Sequence, residues 1–219
     1  MPKPAIKAIC FDMDGLLFNT EELFDEIGIE MLTRRGKQLD HQLVKRMMGQ
    51  QAHVALQMFI DHYQLTDTIQ ELMDEVDEIF DRILPDKLQP MPGAIELLER
   101  LASHGRYPLA LTTSSGAPSV DRLMSFCDLS HFFQFRLTAE DISQSKPHPE
   151  IYLTAATRFE IEPGEMLVFE DSENGCKSGV AAEAHVIAVP SKHVDLHSYT
   201  GSLFVAENLH DERIVGILD

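Results

Sequence analysis

Short apolar segments without polar alternation recur along this chain, and segments with a helical hydrophobic period separate most of them. The apolar segments are residues 5–11, 108–111, 166–169 and 186–189. Continuous apolar runs of this length are typical of strands that are buried on both faces of a parallel sheet. Residues 133–137 alternate instead, which favours an exposed or edge strand. The whole pattern predicts an α/β fold in which helices cover both faces of a parallel sheet.

The hydrophobic period is helical throughout residues 20–84, which predicts a small helical bundle. Its first apolar face consists of Leu23, Ile27 and Met31. Residues 69–83 keep an i, i+3, i+4, i+7 spacing, and their opposite face is acidic. A solvated helix face explains those acidic residues better than a partner site does. The prolines within residues 84–93 predict a semi-rigid linker that returns to the sheet.

Polar residues follow three of the predicted strands at the point where each strand ends. They are Asp12 and Asp14, residues 112–115 (Thr-Thr-Ser-Ser), and Glu170 and Asp171. Asp12 and Asp14 are two residues apart, so in an extended segment both side chains point the same way. The carboxyl ends of parallel strands share one edge of the sheet, where open sheets place their ligands. We therefore expect the three polar sets to meet there.

A fourth polar set, residues 145–149 (Ser-Lys-Pro-His-Pro), precedes a predicted helix and adds Lys146. Carboxylates, hydroxyls and one lysine together suit Mg²⁺ and a phosphate group. Mg²⁺ takes oxygen ligands from one or two carboxylates and leaves room for phosphate oxygens. Lysine and hydroxyl donors can hold the other phosphate oxygens. Repulsion between Asp12 and Asp14 is relieved by such a cation, or by a proton on one of them.

In these four motifs, and in the helical segment between the first and the second, the chain resembles the haloacid dehalogenase-like superfamily. Within it, the chain is similar to the subgroup of β-phosphoglucomutase, which has a helical C1 cap. The resemblance spans essentially the whole chain. It implies a Rossmann-like catalytic core of residues 1–19 and 90–219 and a helical cap domain of residues 20–89. It also implies an Mg²⁺-dependent phosphatase that hydrolyses a small phosphate monoester through an aspartyl phosphate. The substrate, a small phosphorylated metabolite, is then a sugar phosphate, phosphoglycolate or a nucleotide-like ester.

The resemblance also implies a role for each motif residue. Asp12 is the nucleophile, and Asp14 is the general acid and base. Thr113 and the backbone N–H of Ser114 bind the phosphoryl oxygens, and Lys146 neutralises charge on the phosphate and on Asp12. The implied Mg²⁺ site consists of Asp12, Asp14 through its backbone carbonyl, Glu170 and Asp171.

Departures from the family pattern bear on which reaction to expect. Asp14 is present, whereas the dehalogenases and the phosphonate-cleaving members lack an acid/base aspartate there. Sugar-phosphate mutases carry a cap histidine where this chain has Phe24, and a cap arginine where it has residues 49–53 (Gly-Gln-Gln-Ala-His). We therefore predict a phosphatase, with a sugar-phosphate mutase as the alternative. A non-catalytic binding protein is a third interpretation, which the complete motif set disfavours. Asn19 stands where aspartate is usual.

Two further sets of polar residues have open interpretations. Gln50, Gln51 and His53 lie in the cap segment that the resemblance places near the substrate, so they are candidate substrate contacts. An ordinary loop role fits them equally well. His193 and His197 have the i, i+4 spacing of a helical zinc site, but no third ligand lies nearby in the sequence, so we predict no zinc site.

Composition excludes several classes of partner. The 219 residues include 18 basic and 36 acidic side chains, a net charge of −18. Such a surface repels nucleic acid and anionic lipid, so we expect neither as a partner, and a phosphate site needs its own local positive charge. Cys10, Cys127 and Cys176 lie far apart, which favours buried free thiols. With no apolar run of about 18 residues, we expect a cytoplasmic protein, as a monomer or weak homodimer.

Overall fold

The computed structural model describes residues 5–190 and 199–218, within which six strands form one parallel sheet. His193 and His197 lie outside the described residues. The strands are β1 (Ala8–Phe11), β2 (Leu109–Thr112), β3 (Phe135–Leu137), β4 (Met166–Glu170), β5 (His185–Ala188) and β6 (Phe204–Val205). Their order across the sheet is β3-β2-β1-β4-β5-β6. The predicted α/β fold is confirmed, and β3 is an edge strand as expected.

Nine α-helices are present in the described part of the chain. They are α1 (Thr20–Arg34), α2 (His41–Met47), α3 (Ala52–Tyr63), α4 (Ile69–Lys87), α5 (Ala94–His104), α6 (Ala117–Cys127), α7 (Glu150–Phe159), α8 (Glu173–Ala181) and α9 (Glu212–Leu218). The first four form one uninterrupted helical insertion between β1 and α5. None of the nine is long and apolar enough to cross a membrane.

The sheet separates two hydrophobic cores. Ile9 and Phe11 of β1 point into a core that includes side chains of α5, α6 and α9, while Cys10 between them points into a core with α7 and α8. Successive strand residues face opposite sides of a sheet. Because both sides are covered by helices, every residue of β1, β2 and β4 is buried. This explains why these strands show no polar alternation.

The helical insertion is built as its sequence period predicts. Leu23, Ile27 and Met31 of α1 are each only 2% exposed. Helix α1 packs against α4, and α3 packs against both α2 and α4. The acidic face of α4 is not wholly solvated, because Glu75 accepts hydrogen bonds from Arg34 at 2.9 Å and from Arg35 at 2.6 Å. The division of the chain into a core and a cap domain stays a prediction.

The two chain crossings between sheet and insertion are hydrogen-bonded to each other. The backbone N–H of Asn19 donates to Gln89 O at 3.1 Å, and Met91 N–H donates to Leu17 O at 2.9 Å. The Asn19 side chain accepts from Gln89 N–H at 2.8 Å and donates to Lys87 O at 3.1 Å. Asn19 therefore ties the outgoing segment to the returning one with both ends of its amide.

The structure differs from the predicted elements at two places. The segment expected to be a linker from Leu84 onward begins as helix, because α4 continues through Pro85 to Lys87. Because proline has no N–H, the last turn of α4 lacks the i→i−4 hydrogen bond that Pro85 would otherwise donate. Strand β6 and helix α9 were not predicted, and both are short.

Candidate active site

Three strand ends converge because β1 lies between β2 and β4 in the sheet. Phe11, the last residue of β1, pairs with Leu111 of β2 and with Phe169 of β4. The next residues of the three strands are therefore level with one another, at the point where the strand order reverses. Open α/β sheets bind their ligands at this point. Asp12, Thr112 and Glu170 stand there, as the sequence predicts.

Lys146 reaches this edge from the loop before α7 and joins all three strand ends. Its ammonium donates to Asp12 Oδ1 at 2.6 Å, to Glu170 Oε1 at 2.6 Å and to Thr112 O at 3.0 Å. Lys146 is 1% exposed and Glu170 is fully buried. Buried charges are stable when they are paired and hydrogen-bonded in this way.

Burial by itself shifts the pKa values of Lys146 and Asp12 in opposite directions, because in both cases it disfavours the charged form. Burial disfavours the charged form of Lys146, but the carboxylates of Asp12 and Glu170 outweigh it and raise the pKa of the ammonium, so Lys146 is charged. Burial raises the pKa of Asp12 well above its usual range; Lys146 opposes the shift, and the charges of Glu170 and Asp14 add to it. A further positive charge at this site therefore favours the ionised form of Asp12.

Asp14 is positioned by the loop that follows β2. Its Oδ2 accepts hydrogen bonds from Thr113 Oγ1 at 3.1 Å and from Ser115 Oγ at 2.7 Å. Its other oxygen, Oδ1, is buried and accepts no hydrogen bond from the described residues. Asp14 also lines the cavity described below.

Asp12, Glu170 and Asp171 form a carboxylate cluster that fits a divalent cation. One oxygen from each lies within 4.8 Å of the others. Asp171 is 1% exposed, and its Oδ2 has no hydrogen-bond partner among the described residues. Lys146 supplies one positive charge against three carboxylates, so the cluster needs another. Mg²⁺ matches the all-oxygen donor set. The carboxylate of Asp14 stands outside this cluster.

Several residues that support the carboxylates of the site were not predicted from the sequence. Tyr152 of α7 donates to Glu170 Oε1 at 2.5 Å, and Tyr199 donates to Asp171 O at 2.6 Å. Gly175 at the start of α8 leaves room for Glu170, since a Cβ there would lie 1.9 Å from Oε2. No local pattern marks these residues, because each matters only through a contact distant in sequence.

A cavity of about 480 Å³ opens between these strand ends and the helical insertion. Gln50 lines it, as predicted for a substrate contact. Gln51 and His53 are absent from its described lining: the Gln51 amide donates to Ala139 O at 3.2 Å, and His53 is exposed on the first turn of α3. The structure thus brings one of the three predicted cap contacts to the cavity.

The loop between α2 and α3 is attached to the loops at the strand ends. Ser114 Oγ donates to Gly49 O at 2.8 Å, and Asn174 Nδ2 donates to Met48 O at 2.8 Å. A Cβ at Gly49 would lie 2.9 Å from Ser172 Oγ. The Ser114 hydroxyl therefore contacts the helical insertion. The phosphate contact predicted for Ser114 involves a different group, its backbone N–H.

Fold and site together define a hydrolase of the haloacid dehalogenase type. The model of the haloacid dehalogenase-like hydrolase family matches residues 9–189, so the chain belongs to that family. The bifunctional riboflavin kinase/FMN phosphatase of Arabidopsis thaliana is 32% identical over 97% of this chain and 56% of its own length, so this chain spans little more than half of it. The phosphorylated carbohydrates phosphatase of Thermotoga maritima is 30% identical over 81% of this chain and 82% of its own length.

A solved structure shares the fold. β-Phosphoglucomutase from Clostridium difficile superposes with a TM-score of 0.82 at 18% identity, covering 97% of this chain and 96% of its own. At that identity the likeness concerns the fold alone. The relatives named as phosphatases, with the family match, confirm the predicted family and the predicted enzyme class, a phosphoric monoester hydrolase.

Proposed function

We propose that this protein is an Mg²⁺-dependent phosphatase that hydrolyses a small phosphate monoester through an aspartyl phosphate on Asp12. The observation that carries the proposal is the buried group of Asp12, Lys146 and Glu170, with Asp14 beside it in the lining of the cavity. A carboxylate is a known nucleophile toward phosphorus. Its attack on an anionic phosphate requires that nearby positive charge offset the repulsion.

The first step forms the aspartyl phosphate. An oxygen of Asp12 bonds to phosphorus while the bond from phosphorus to the ester oxygen breaks, and Asp14 gives its proton to that leaving oxygen. Thr113 and Ser115 hold Asp14 by Oδ2, which leaves Oδ1, without a hydrogen-bond partner among the described residues, to carry the proton. Lys146 keeps its contact with Asp12 and neutralises charge on the phosphoryl group.

The second step releases phosphate. Asp14, now ionised, takes a proton from a water molecule as the water oxygen bonds to phosphorus. The bond between phosphorus and Asp12 breaks, which regenerates the Asp12 carboxylate, and Asp14 is protonated again for the next cycle. We assign Thr113 and the N–H of Ser114 to the phosphoryl oxygens, and their position directly after β2 supports this assignment.

Mg²⁺ would be held by Asp12, Glu170 and Asp171, together with the backbone carbonyl of Asp14. When bound, it supplies positive charge that stabilises the negative charge on the phosphoryl oxygens. The unpartnered oxygen of Asp171 and the excess of buried carboxylates over ammonium support this assignment.

Hydrolysis is favoured over a mutase reaction by what surrounds the cavity. A mutase must hold a second phosphate, which requires a cation opposite the catalytic carboxylates. None of the described residues that line the cavity is lysine, arginine or histidine. Phe24 stands where a mutase histidine is expected, and its ring stacks on Phe80 at 5.7 Å. The substrate is therefore a monoester rather than a bisphosphate.

We further propose that residues 20–89 form a cap domain on a core of residues 1–19 and 90–219. The hydrogen bonds from Ser114 and Asn174 to the loop between α2 and α3 support a cap that closes over the substrate and excludes water. The net charge of −18 supports a monomer or weak homodimer, since like-charged copies repel. Free, buried Cys10 and Cys176 support a reducing, cytoplasmic location.

The decisive test is phosphate release from a panel of monoesters, with and without Mg²⁺, by the wild type and Asp12→Asn. We expect Mg²⁺-dependent release that falls about a thousandfold or more in Asp12→Asn, because no nucleophile remains. Asp86→Asn, an exposed aspartate on α4, is the matched control and should keep full activity. Equal rates for wild type and Asp12→Asn, or no release from any ester, would refute the proposal.

A further inference from the structure

The cavity at the strand ends continues far into the helical insertion. Glu21, near the start of α1, packs over the loop that carries Asp12 and Asp14, since a Cβ on Gly15 would lie 2.8 Å from Glu21 Cγ. Met31 lines the same cavity farther along α1, about 15 Å from Glu21 in the direction of the helix axis. The cavity volume of about 480 Å³ falls within the range of about 300–1,000 Å³ that is typical of small-molecule sites. A very small alcohol would leave most of this space unfilled.

All four helices of the insertion contribute apolar side chains to this space. They include Phe24 of α1, Val44 of α2, Phe59 of α3 and Val76 of α4. Four methionines join them, namely Met31, Met47, Met48 and Met73. The flexible thioether side chain of methionine adapts to apolar partners of different shape. Such a lining offers few partners to the hydroxyl groups of a sugar, and a buried hydroxyl without a partner is costly.

The insertion also contributes a few polar side chains to the described lining, and these are Glu21, Asp25, Gln50 and Asp77. Gln50 directly follows Gly49, whose carbonyl accepts from Ser114 Oγ, so Gln50 lies close to the strand ends, as Glu21 does. Asp77 is exposed and pairs with Arg122 of α6 at 3.5 Å. The part of the cavity that lies between the helices of the insertion is therefore mainly apolar.

Two features leave this apolar wall available to a ligand. The ring of Phe24 stacks on that of Phe80 with the ring centroids 5.7 Å apart, yet Phe24 is 38% exposed whereas Phe80 is 3% exposed. On α3, the cavity is lined by Ala52, which is exposed, and by Ala55, which is half-buried. Their small side chains leave room beside the aromatic ring. An apolar ligand that covers such a surface removes it from water, which favours binding.

We propose that the substrate is a monoester of an alcohol with an apolar chain or ring, and that this apolar part extends between the helices of the insertion. This inference rests on the proposed phosphatase function and concerns its substrate class. The phosphate group lies at Asp12 and the ester oxygen beside Asp14, while Phe24 and Ala55 contact the apolar part. Because that contact is present in the transition state as well as in the bound substrate, it raises kcat/KM.

The test compares three esters of primary alcohols with Mg²⁺ present. Hexyl phosphate differs from ethyl phosphate by four methylene groups, and sorbitol 6-phosphate has the same six-carbon chain as hexyl phosphate but carries hydroxyl groups. We expect kcat/KM to rise about two- to fourfold per methylene, which is about 15–250-fold from ethyl to hexyl phosphate. Hexyl phosphate should also exceed sorbitol 6-phosphate by at least about tenfold, because the apolar wall leaves the added hydroxyls unpaired.

Two substitutions in the apolar wall should weaken this preference. Ala55→Leu fills the space beside Phe24 and should lower the ratio of kcat/KM for hexyl over ethyl phosphate at least about fivefold. Phe24→Ala removes the exposed ring and should lower the same ratio about three- to tenfold. The matched controls are Ala102→Leu, at an exposed position of α5, and Ile29→Ala, at a position of α1 that is 50% exposed. Both should keep the ratio of the wild type.

Binding to the Asp12→Asn variant, measured by isothermal titration calorimetry, separates this inference from the phosphatase proposal. Hexyl phosphate should bind this variant more tightly than ethyl phosphate does. If the wild type hydrolyses no ester while Asp12→Asn keeps that binding preference, the phosphatase proposal fails and the apolar site stands. The inference is overturned if hexyl phosphate gains nothing over ethyl phosphate, if sorbitol 6-phosphate is as good a substrate as hexyl phosphate, or if the ratio is the same in all variants.

Discussion

The carboxylate of Glu170 is held on several sides at once. Lys146 and Tyr152 donate to its Oε1 at 2.6 and 2.5 Å, and Ser172 Oγ donates to its Oε2 at 3.3 Å. On the remaining side it lies against Gly175, where a Cβ would approach the carboxylate atoms to 1.9–2.2 Å. Because Glu170 holds Lys146, any displacement of its carboxylate also displaces the ammonium from Asp12.

Gly175→Ala is therefore expected to disturb both stability and catalysis. The new methyl group overlaps the Glu170 carboxylate, which must leave its hydrogen bonds or push α8 away from β4. Overpacking of this kind costs about 1–3 kcal/mol in the free energy of unfolding. We expect that loss in urea denaturation, together with at least about a tenfold fall in kcat as Lys146 is displaced.

Gly216→Ala is the matched control for this substitution. Gly216 lies in helix α9, and a Cβ there would have nothing within 4 Å. Replacing a helical glycine by alanine stabilises by about 0.5–1 kcal/mol when no contact opposes it, so this variant should be slightly more stable and fully active. Equal behaviour of the two variants would show that Gly175 is not required by its contact with Glu170.

At the residue scale, the candidate catalytic residues are easier to recognise in the sequence than the residues that support them. Asp12 and Asp14 follow a buried strand at a diagnostic spacing, and Lys146 belongs to a recognisable motif. Tyr152 gives no such signal, because its neighbours Ile151 and Ala155 are also fully buried and it resembles an ordinary core aromatic residue. Its hydroxyl becomes significant only when the fold brings it to Glu170.

At the scale of elements, the strands and helices that are most buried are also the easiest to predict from the sequence. Strands β1, β2 and β4 are recognisable because every residue is buried between helices. Strand β6 has two residues, both only partly buried, so it leaves no periodic signal. The end of α4 was misplaced because a proline in the sequence usually marks a boundary, whereas Pro85 occupies the last turn of the helix.

The crossings between the sheet and the helical insertion depend on one amide. Asn19 must both accept from Gln89 N–H and donate to Lys87 O. The family's usual aspartate can accept but cannot donate. We expect Asn19→Asp to lose the bond to Lys87 O and to set a carboxylate oxygen against a carbonyl, costing about 1 kcal/mol in the free energy of unfolding. Urea denaturation measures this, and limited proteolysis should show faster cleavage near residues 85–92.

The control for that substitution is Asn208→Asp. The Asn208 side-chain oxygen accepts from His210 N–H at 2.8 Å, a bond that aspartate keeps. Its stability should therefore stay within about 0.5 kcal/mol of the wild type. If Asn19→Asp is equally harmless, the two-ended amide contact does not hold the crossings together, and asparagine and aspartate are interchangeable at this position.

At the scale of the whole molecule, the described part of the chain buries three acidic residues, Asp12, Glu170 and Asp171, beside a single lysine, Lys146. Burial raises the pKa of Glu21 to about 8, with the charges of Asp14 and Asp25 adding to the shift. Burial likewise raises the pKa of Asp171 well above its usual range, and Glu21 and Asp12 contribute. Lys146 is the buried cation among these groups. The chain as a whole, with a net charge of −18, offers little positive charge to offset them.

This arrangement makes stability depend on pH in a definite direction when no divalent cation is present. In the unfolded chain Glu21 ionises near pH 4.3, whereas in the folded protein it does so near pH 8. Between these values the folded state binds more protons, so the free energy of unfolding decreases as pH rises. In EDTA we expect the Tm to fall by several degrees from pH 6 to pH 8, since about 1 kcal/mol corresponds to about 2–4 °C for a chain of this size.

Mg²⁺ and two substitutions separate the causes of this fall in Tm. Glu21→Gln cannot ionise, so its Tm should fall less steeply with pH in EDTA than that of the wild type. Mg²⁺ stabilises the folded state by binding it in preference to the unfolded chain, and it should raise the Tm more at pH 8 than at pH 6, because cation binding requires ionised carboxylates. Asp171→Asn should abolish most of the Mg²⁺ effect while leaving a folded protein. A Tm in EDTA that is constant or rises over this range would mean that the buried carboxylates are already ionised without a metal, and that Lys146 alone balances them.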